Sequence, residues 1–338
     1  MKESDIRDQD IFDEYIRLVT KDINVFFEPS QFNLVNCPAC GGGGEDLRSE
    51  FEKNGFTYVT CKKCGTLFTN PRPTAEQINQ FYARSDSGEF FTEHFLMPFV
   101  ESRREKIFLP RVKKIIKMFS TYSKGRIGDI GAGHGIFLEE LQKKWGEADL
   151  IAIEPSQDMI KICNEKKLHT INKMFEDVDI AEEERFDLLC CFELFEHLCS
   201  PRAFLEKCNS VLKLNGYLFM TTLNGRGFDI QILWEHHKNV NPPVHLNFFN
   251  PKSVQILLER CGFEIVEITT PGKLDWDIVE NSSKRGEVRL DRFWSQVISA
   301  NEETKNELQD WISRNRLSSH MQIVAKKISE LPYTEKRY

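Results

Sequence analysis

Residues Ile127-Gly128-Asp129-Ile130 read as a short strand, and Gly131-Ala132-Gly133-His134-Gly135 turns that strand directly into a helix beginning near Ile136. Three glycines in five positions permit positive φ and let the backbone approach a ligand closely. The helix start that follows offers free amides to an anion. Around this unit, from about residue 125, strand and helix patterns alternate. Strand candidates are Arg126–Ile130, Leu150–Ile153, Thr170–Lys173, Phe186–Phe192, Tyr217–Leu223, Glu264–Thr269 and His320–Lys326. Helix patterns fall between them at Ile136–Lys144, Gln157–Glu165, Pro201–Val211 and Pro251–Cys261. Such alternation predicts a mostly parallel α/β sheet covered by helices on both faces. The turn alone does not name its ligand, because dinucleotide-binding enzymes use similar ones.

The rest of the chain is arranged around that sheet. Ile11, Tyr15, Ile16 and Val19 outline a weak amphipathic helix near the start. Thr74 is placed to cap a helix running to about Tyr82, and residues 100–119 read as another amphipathic helix with Ile107, Leu109, Val112, Ile115, Ile116 and Phe119 on its apolar side. The polar, helical stretch at about 275–316 lies between the last two strand candidates and reads as an insertion. The expected division is 1–74, 75–119 as a helical linker, and 120–338.

Two cysteine pairs, Cys37-Pro-Ala-Cys40 and Cys61-Lys-Lys-Cys64, stand 20 residues apart, each followed by a glycine. Four thiolates at this spacing converge on one Zn²⁺. With every ligand supplied by protein, such a site is closed and structural. Of the ten cysteines in the chain, the scattered six read as core thiols. Residues Met1–Asp13 are charged and lack the apolar core of a signal peptide, and no apolar run approaches the ~20 residues of a spanning helix. The expectation is a cytoplasmic protein. A net charge of −7 counts against nucleic acid as a partner. Oligomeric state is not legible.

Asp129 precedes the glycine turn, and Glu154 closes the second strand 19 residues past Gly135, where a carboxylate can accept both ribose hydroxyls. The strings IGDIGAGHGIFLEEL and LIAIEPSQDMI resemble the first motif and the following acid of class I S-adenosylmethionine (SAM)-dependent methyltransferases. The turn Leu212-Lys-Leu-Asn-Gly216 before the fifth strand fits as well. The resemblance covers roughly residues 120–270 and the last strand. It implies a Rossmann-like seven-stranded methyltransferase sheet with a small N-terminal zinc ribbon and a helical insertion before the last strand. It also implies roles by position. Asp129 would meet the methionine amino group, while Gly131, Gly133 and Gly135 would line the methionine end. Glu154 would hold the ribose, Glu176 would read the adenine, and Phe192 and Glu193 would face the cofactor.

Glu193-Leu-Phe-Glu196-His197 is similar to the E-x-x-E-H stretch of ubiquinone-type O-methyltransferases. That likeness implies a divalent cation on Glu193, Glu196 and His197, set against a plainer role for Glu196 and His197 in bracing the loop. His245, in the segment after the fifth strand, is the first candidate base for removing an acceptor proton, with His197 second and His236 and His237 in the same loop. Trp234, Phe248 and Phe249 would cover a pocket or pack the core. The junction from Cys61 through Asn70-Pro71-Arg72-Pro73 resembles a bacterial group that fuses zinc ribbon and methyltransferase in surface-polysaccharide or other sugar and secondary-metabolite pathways. It implies a small-molecule or saccharide acceptor, in particular a sugar hydroxyl in polysaccharide biosynthesis. The alternatives are C-methylation of a nucleotide-linked keto sugar and rRNA or tRNA methylation through the ribbon.

Overall fold

The computed structural model describes residues 2–331. The strands in chain order are β1 Leu47–Lys53, β2 Phe56–Cys61, β3 Leu67–Thr69, β4 Arg126–Ile130, β5 Asp149–Ile153, β6 His169–Ile171, β7 Phe186–Phe192, β8 Leu212–Leu223, β9 Asn247–Phe248, β10 Phe263–Thr269 and β11 His320–Lys327. Seven of them form one sheet in the order β10-β11-β8-β7-β4-β5-β6. Strands β6, β5, β4, β7 and β8 are parallel, and β11 runs antiparallel to both its neighbours. This is the expected sheet.

Alternation along β7 explains why its strand reads as a continuous apolar run. Leu188 and Cys190 face a layer built from Val112, Ile115, Phe137, Leu138 and Leu141. Leu189 and Cys191 face the opposite layer, with Phe204, Leu205, Leu257 and Leu258. A parallel strand buried on both faces has no polar side to show. Of the six scattered cysteines, Cys163, Cys190, Cys191, Cys208 and Cys261 are buried here as the core thiols expected, whereas Cys199 is only part-buried. The region 275–316 forms three helices, Asp275–Lys284, Arg292–Ile298 and Glu302–Arg314, between β10 and β11. Among the described residues no helix is long and apolar enough to cross a membrane.

Two features differ from expectation. Residues 100–118 are not one regular helix: a wide π turn at Arg104–Phe108 separates Val100–Arg103 from Leu109–Met118. Such bulges re-aim the side chains around them. Here Arg104 pairs with Glu139 and Glu140 of the helix Ile136–Gln142, while the charges of Arg111 and Glu193 act on Arg103. The second difference is that the cysteine-bearing sheet, in the order β1-β2-β3-β9, takes its fourth strand from residues 247–248. The hydrogen-bonded sheet therefore crosses the expected boundary at residue 74.

Gly227 marks the closest approach of a glycine to backbone among the described residues. Its φ is ordinary, −61°, but a Cβ there would stand 2.3 Å from Ser319 Cα and 2.6 Å from Ser319 N. Backbone cannot move aside as a side-chain tip can. Gly227→Ala is expected to destabilise the fold by about 3 kcal/mol, the upper range for overpacking. A lowered denaturant midpoint checks this, and an unchanged midpoint would show that the 224–228 turn has slack.

Candidate active site

The strand order reverses between β4 and β7, and ligands of open α/β sheets bind outside the carboxyl ends of the strands at such a point. Gly131, Gly133 and Gly135 all take positive φ, 70°, 51° and 66°. At Gly135 an added Cβ would meet Leu168 and Cys163 at 2.7 and 2.9 Å. At Gly133 it would meet nothing within 4 Å, so this glycine borders open space. Two acids flank that space. Asp129 is 2% exposed, and among the described residues its Oδ1 has no hydrogen-bond partner. Burial pushes its carboxyl up to about 8, against the opposing pull of Arg111. Glu154 accepts the amides of Gly133 and Ser156, each at 3.0 Å. Burial raises its carboxyl too, and those two amides offset part of the rise. Glu176 lies on the 3-10 turn Phe175–Asp177 after β6, exposed to solvent.

Across the sheet, Phe192 ends β7 and carries the Arg111 guanidinium 4.6 Å above its ring. Arg111 donates to Glu193 at 2.8 Å and to Thr221 Oγ1 at 3.3 Å. Against its own burial, His320 and Arg111 hold the Glu193 carboxyl below the usual range. Glu193 has φ +50°, a strained backbone for a residue with a Cβ and a frequent mark of functional sites. Burial lowers Arg103 to about 10. The pattern of the sequence did not single out Arg103 or Arg111. Nothing separates them there from Arg104, Lys113 or Lys114 on the same amphipathic stretch, and only the π turn re-aims that stretch.

His197 and His245 lie with ring centres 4.8 Å apart. His197 Nδ1 is 2.7 Å from Val244 O, and His245 Nδ1 is 2.5 Å from Asn239 O. A carbonyl only accepts, so in both rings Nδ1 carries the hydrogen and Nε2 keeps the lone pair. The Tyr82 hydroxyl lies 3.0 Å from His197 Nδ1 and donates to Val244 O at 3.3 Å. Burial, reinforced by the neighbouring His197, drives His245 down to about 3. His197 is also lowered by burial, but the Val244 carbonyl and Glu193 favour its charged form. The other loop histidines are placed otherwise. His237 is buried against Asp229 at 3.0 Å, and His236 is exposed.

The expected divalent set is rearranged. Donor atoms of Glu196, His197 and His245 lie within 4.8 Å of one another, whereas Glu193 stands outside that group, engaged by Arg111 and Thr221. Glu196 itself is 1% exposed and bonded to Thr222 Oγ1 at 2.7 Å. Phe248 and Phe249 are core residues. Trp234 packs edge-on to Phe51 at 5.4 Å.

The four cysteines converge as expected. Their sulfur atoms lie within 4.8 Å of one another, with Cys37–Cys64 and Cys40–Cys61 each at 3.5 Å. Tetrahedral Zn–S bonds of about 2.3 Å put sulfurs about 3.8 Å apart, so the cluster fits a zinc ribbon. Gly41 and Gly65 close the two knuckles with φ of 78° and 75°, donating to Cys37 O and Cys61 O.

The profile of the family described as methyltransferase domain matches residues 99–268. Similar curated proteins include the ubiquinone biosynthesis O-methyltransferase of Hydrogenovibrio crunogenus, 27% identical over 195 residues, covering 54% of this chain and 75% of that one. Another is the ubiquinone biosynthesis O-methyltransferase of Xanthomonas axonopodis pv. citri, 30% identical over 178 residues, covering 48% of this chain and 72% of that one. Among solved structures, a SAM-dependent methyltransferase of Thermotoga maritima, described as a possible histamine N-methyltransferase, aligns with TM-score 0.46 and 17% identity over 70% of this chain and 98% of that one. The curated relatives do not support the expected sugar or polysaccharide role.

Proposed function

Since the chain belongs to the methyltransferase-domain family and is a SAM-dependent methyltransferase, we propose that it transfers the methyl group to a hydroxyl of a small organic acceptor, with His197 taking the proton. The observation that carries the cofactor half of this reading is the buried Asp129 Oδ1, without a partner among the described residues, on the strand that leads into the glycine turn. An uncompensated buried carboxylate is costly, and the ammonium of a bound methionine moiety is the partner it lacks. Glu154 has a free lone pair on each oxygen for the ribose hydroxyls. Arg103 and Arg111 supply positive charge for a carboxylate. SAM bound there supplies an electrophilic methyl group on a sulfonium.

What remains for the protein is to align the acceptor and accept its proton. A base works best when its conjugate acid titrates near the working pH. By that rule His245, held near 3, is the poorer base, and His197, whose charged form the Val244 carbonyl stabilises, is the better one. Their order is therefore the reverse of the one the sequence suggested. Oxygen as the acceptor atom is supported by the names of the curated relatives and by a base at the cleft.

The test uses SAM labelled in its methyl group with a panel of small phenols, alcohols, amines and carbon acids. The expected product is an ether, with the label on oxygen. Label retained only on nitrogen or carbon would overturn the proposal.

A further inference from the structure

The cysteine module is joined to the acceptor side of the cleft by a continuous run of hydrogen bonds. Strand β3 pairs with β9 through Leu67↔Phe248 and Phe68↔Asn247, and Thr69 N donates to Leu246 O at 3.0 Å. The hydroxyl of Tyr58, a fully buried side chain on β2, donates to the carbonyl of His245 itself at 2.6 Å. Arg72 reaches Asn247 Oδ1 at 3.0 Å and Cys199 O at 2.7 Å. The knuckles are gripped in return. Asn250 donates to Cys64 O at 3.0 Å, Lys252 to Lys63 O at 3.0 Å, and Arg260 to Ala39 O at 2.8 Å.

The segment held in this way passes the constraint on. Leu246 N donates to Glu196 O at 2.9 Å, and Asn247 Nδ2 to Leu198 O at 2.8 Å. Val244 O accepts from His197. Both imidazoles thus hang from one strip, 244–250, with β3 on one side and residues 196–198 on the other. The glycine turn and Glu154 are outside this run. Among the described residues, no hydrogen bond links 37–72 to 129–154.

We propose that the cysteine ribbon is a positioning element of the acceptor side, fixing the strip 244–250 and through it the rings of His197 and His245, while leaving the cofactor side alone. This rests on the readings of the cluster as a zinc site and of the histidines as part of the cleft. A ribbon that only recruited a partner would need no bonds to the strip beneath the candidate base. The geometry is specific enough that two carbonyls, His245 O and Cys64 O, each have one side chain from the other unit as donor.

The test uses the full chain, with metal content measured first and Tyr58→Phe as the second arm. Graded chelation should release zinc and move the ring ¹H–¹⁵N signals of His197 and His245. It should also lower kcat more than ~10-fold and change the SAM Kd less than ~3-fold, with recovery on adding Zn²⁺ back. Tyr58→Phe, with metal retained, should move the His245 signal and lower kcat without changing SAM affinity. Zinc release that leaves the histidine signals and kcat unchanged would overturn the proposal. So would loss of SAM affinity in parallel with kcat, which would mean general unfolding. If the protein binds no zinc, the zinc reading alone fails, and the Tyr58→Phe arm still decides the coupling. If Tyr58→Phe moves neither signal nor kcat, the coupling fails whatever metal is bound.

Discussion

Glu154→Ala is expected to weaken SAM binding by at least about 100-fold, read by calorimetry on the folded variant. Each charge-assisted hydrogen bond is worth about 1.5–3 kcal/mol, and two ribose hydroxyls bonded to one carboxylate put the loss near or above 3 kcal/mol, or about 100-fold in Kd. The variant also orphans the amides of Gly133 and Ser156, which Glu154 accepts at 3.0 Å each. Part of the effect is therefore the loosening of the glycine turn. Glu154→Gln separates the two contributions. Its amide oxygen can still accept from Gly133, so the turn holds, while one acceptor position becomes a donor. An intermediate loss of about 10-fold is expected for it. Undiminished binding in Glu154→Ala would remove this residue from the cofactor site.

The second large effect is expected at His197. Losing a general base typically costs ~10²–10⁴-fold, so His197→Gln should lower kcat within that range with SAM affinity unchanged. Glutamine is the useful substitute because its amide can still donate to Val244 O, keeping the loop braced while removing the base. His245→Asn should cost less, since burial already makes His245 a weak base. The pH profile gives an independent reading. A base must be unprotonated to act, so kcat/KM should fall as the pH drops through the His197 pKa. Because burial lowers that pKa from the ordinary 6.5, activity should persist to below pH 6.5 in the wild type. A His197→Gln enzyme within threefold of wild type, with the same acid limb, would mean that His197 is not the base.

What the sequence reveals and what it hides follow from the range of the interactions. The β4 turn is legible because its constraint is local: glycines at 131, 133 and 135 are needed where φ is positive. β7 is legible because both its faces are buried. The cysteine pairs are legible because four thiols converging within 4.8 Å from two tight turns need this spacing. β8 begins at Leu212, five residues earlier than its apolar run suggests. Asn215 takes φ +68°, and the ladder skips from Phe186↔Leu212 to Leu188↔Tyr217, so the turn residues are a bulge within the strand. Hidden altogether are the features made by distant partners. The strand Asn247–Phe248 is two residues long and has no pattern of its own. Arg111 is placed by Phe192, Glu193 and Thr221, between 81 and 110 residues on. The weak basicity of His245 depends on what surrounds it, which no local string encodes.

The pairing of β3 with β9 also bears on how the chain is made. Leu67 and its partner Phe248 are about 180 residues apart. At about 5–20 residues per second, the ribosome needs roughly ten seconds or more between delivering one and delivering the other. Through that interval the nascent ribbon holds β3 with one edge open, a template for wrong neighbours. Its three-residue length keeps the hazard small. A short strand in this position is tolerable during synthesis where a long one would invite aggregation, and growth of β3 by a few apolar residues should show first as poor yield of folded protein from the cell.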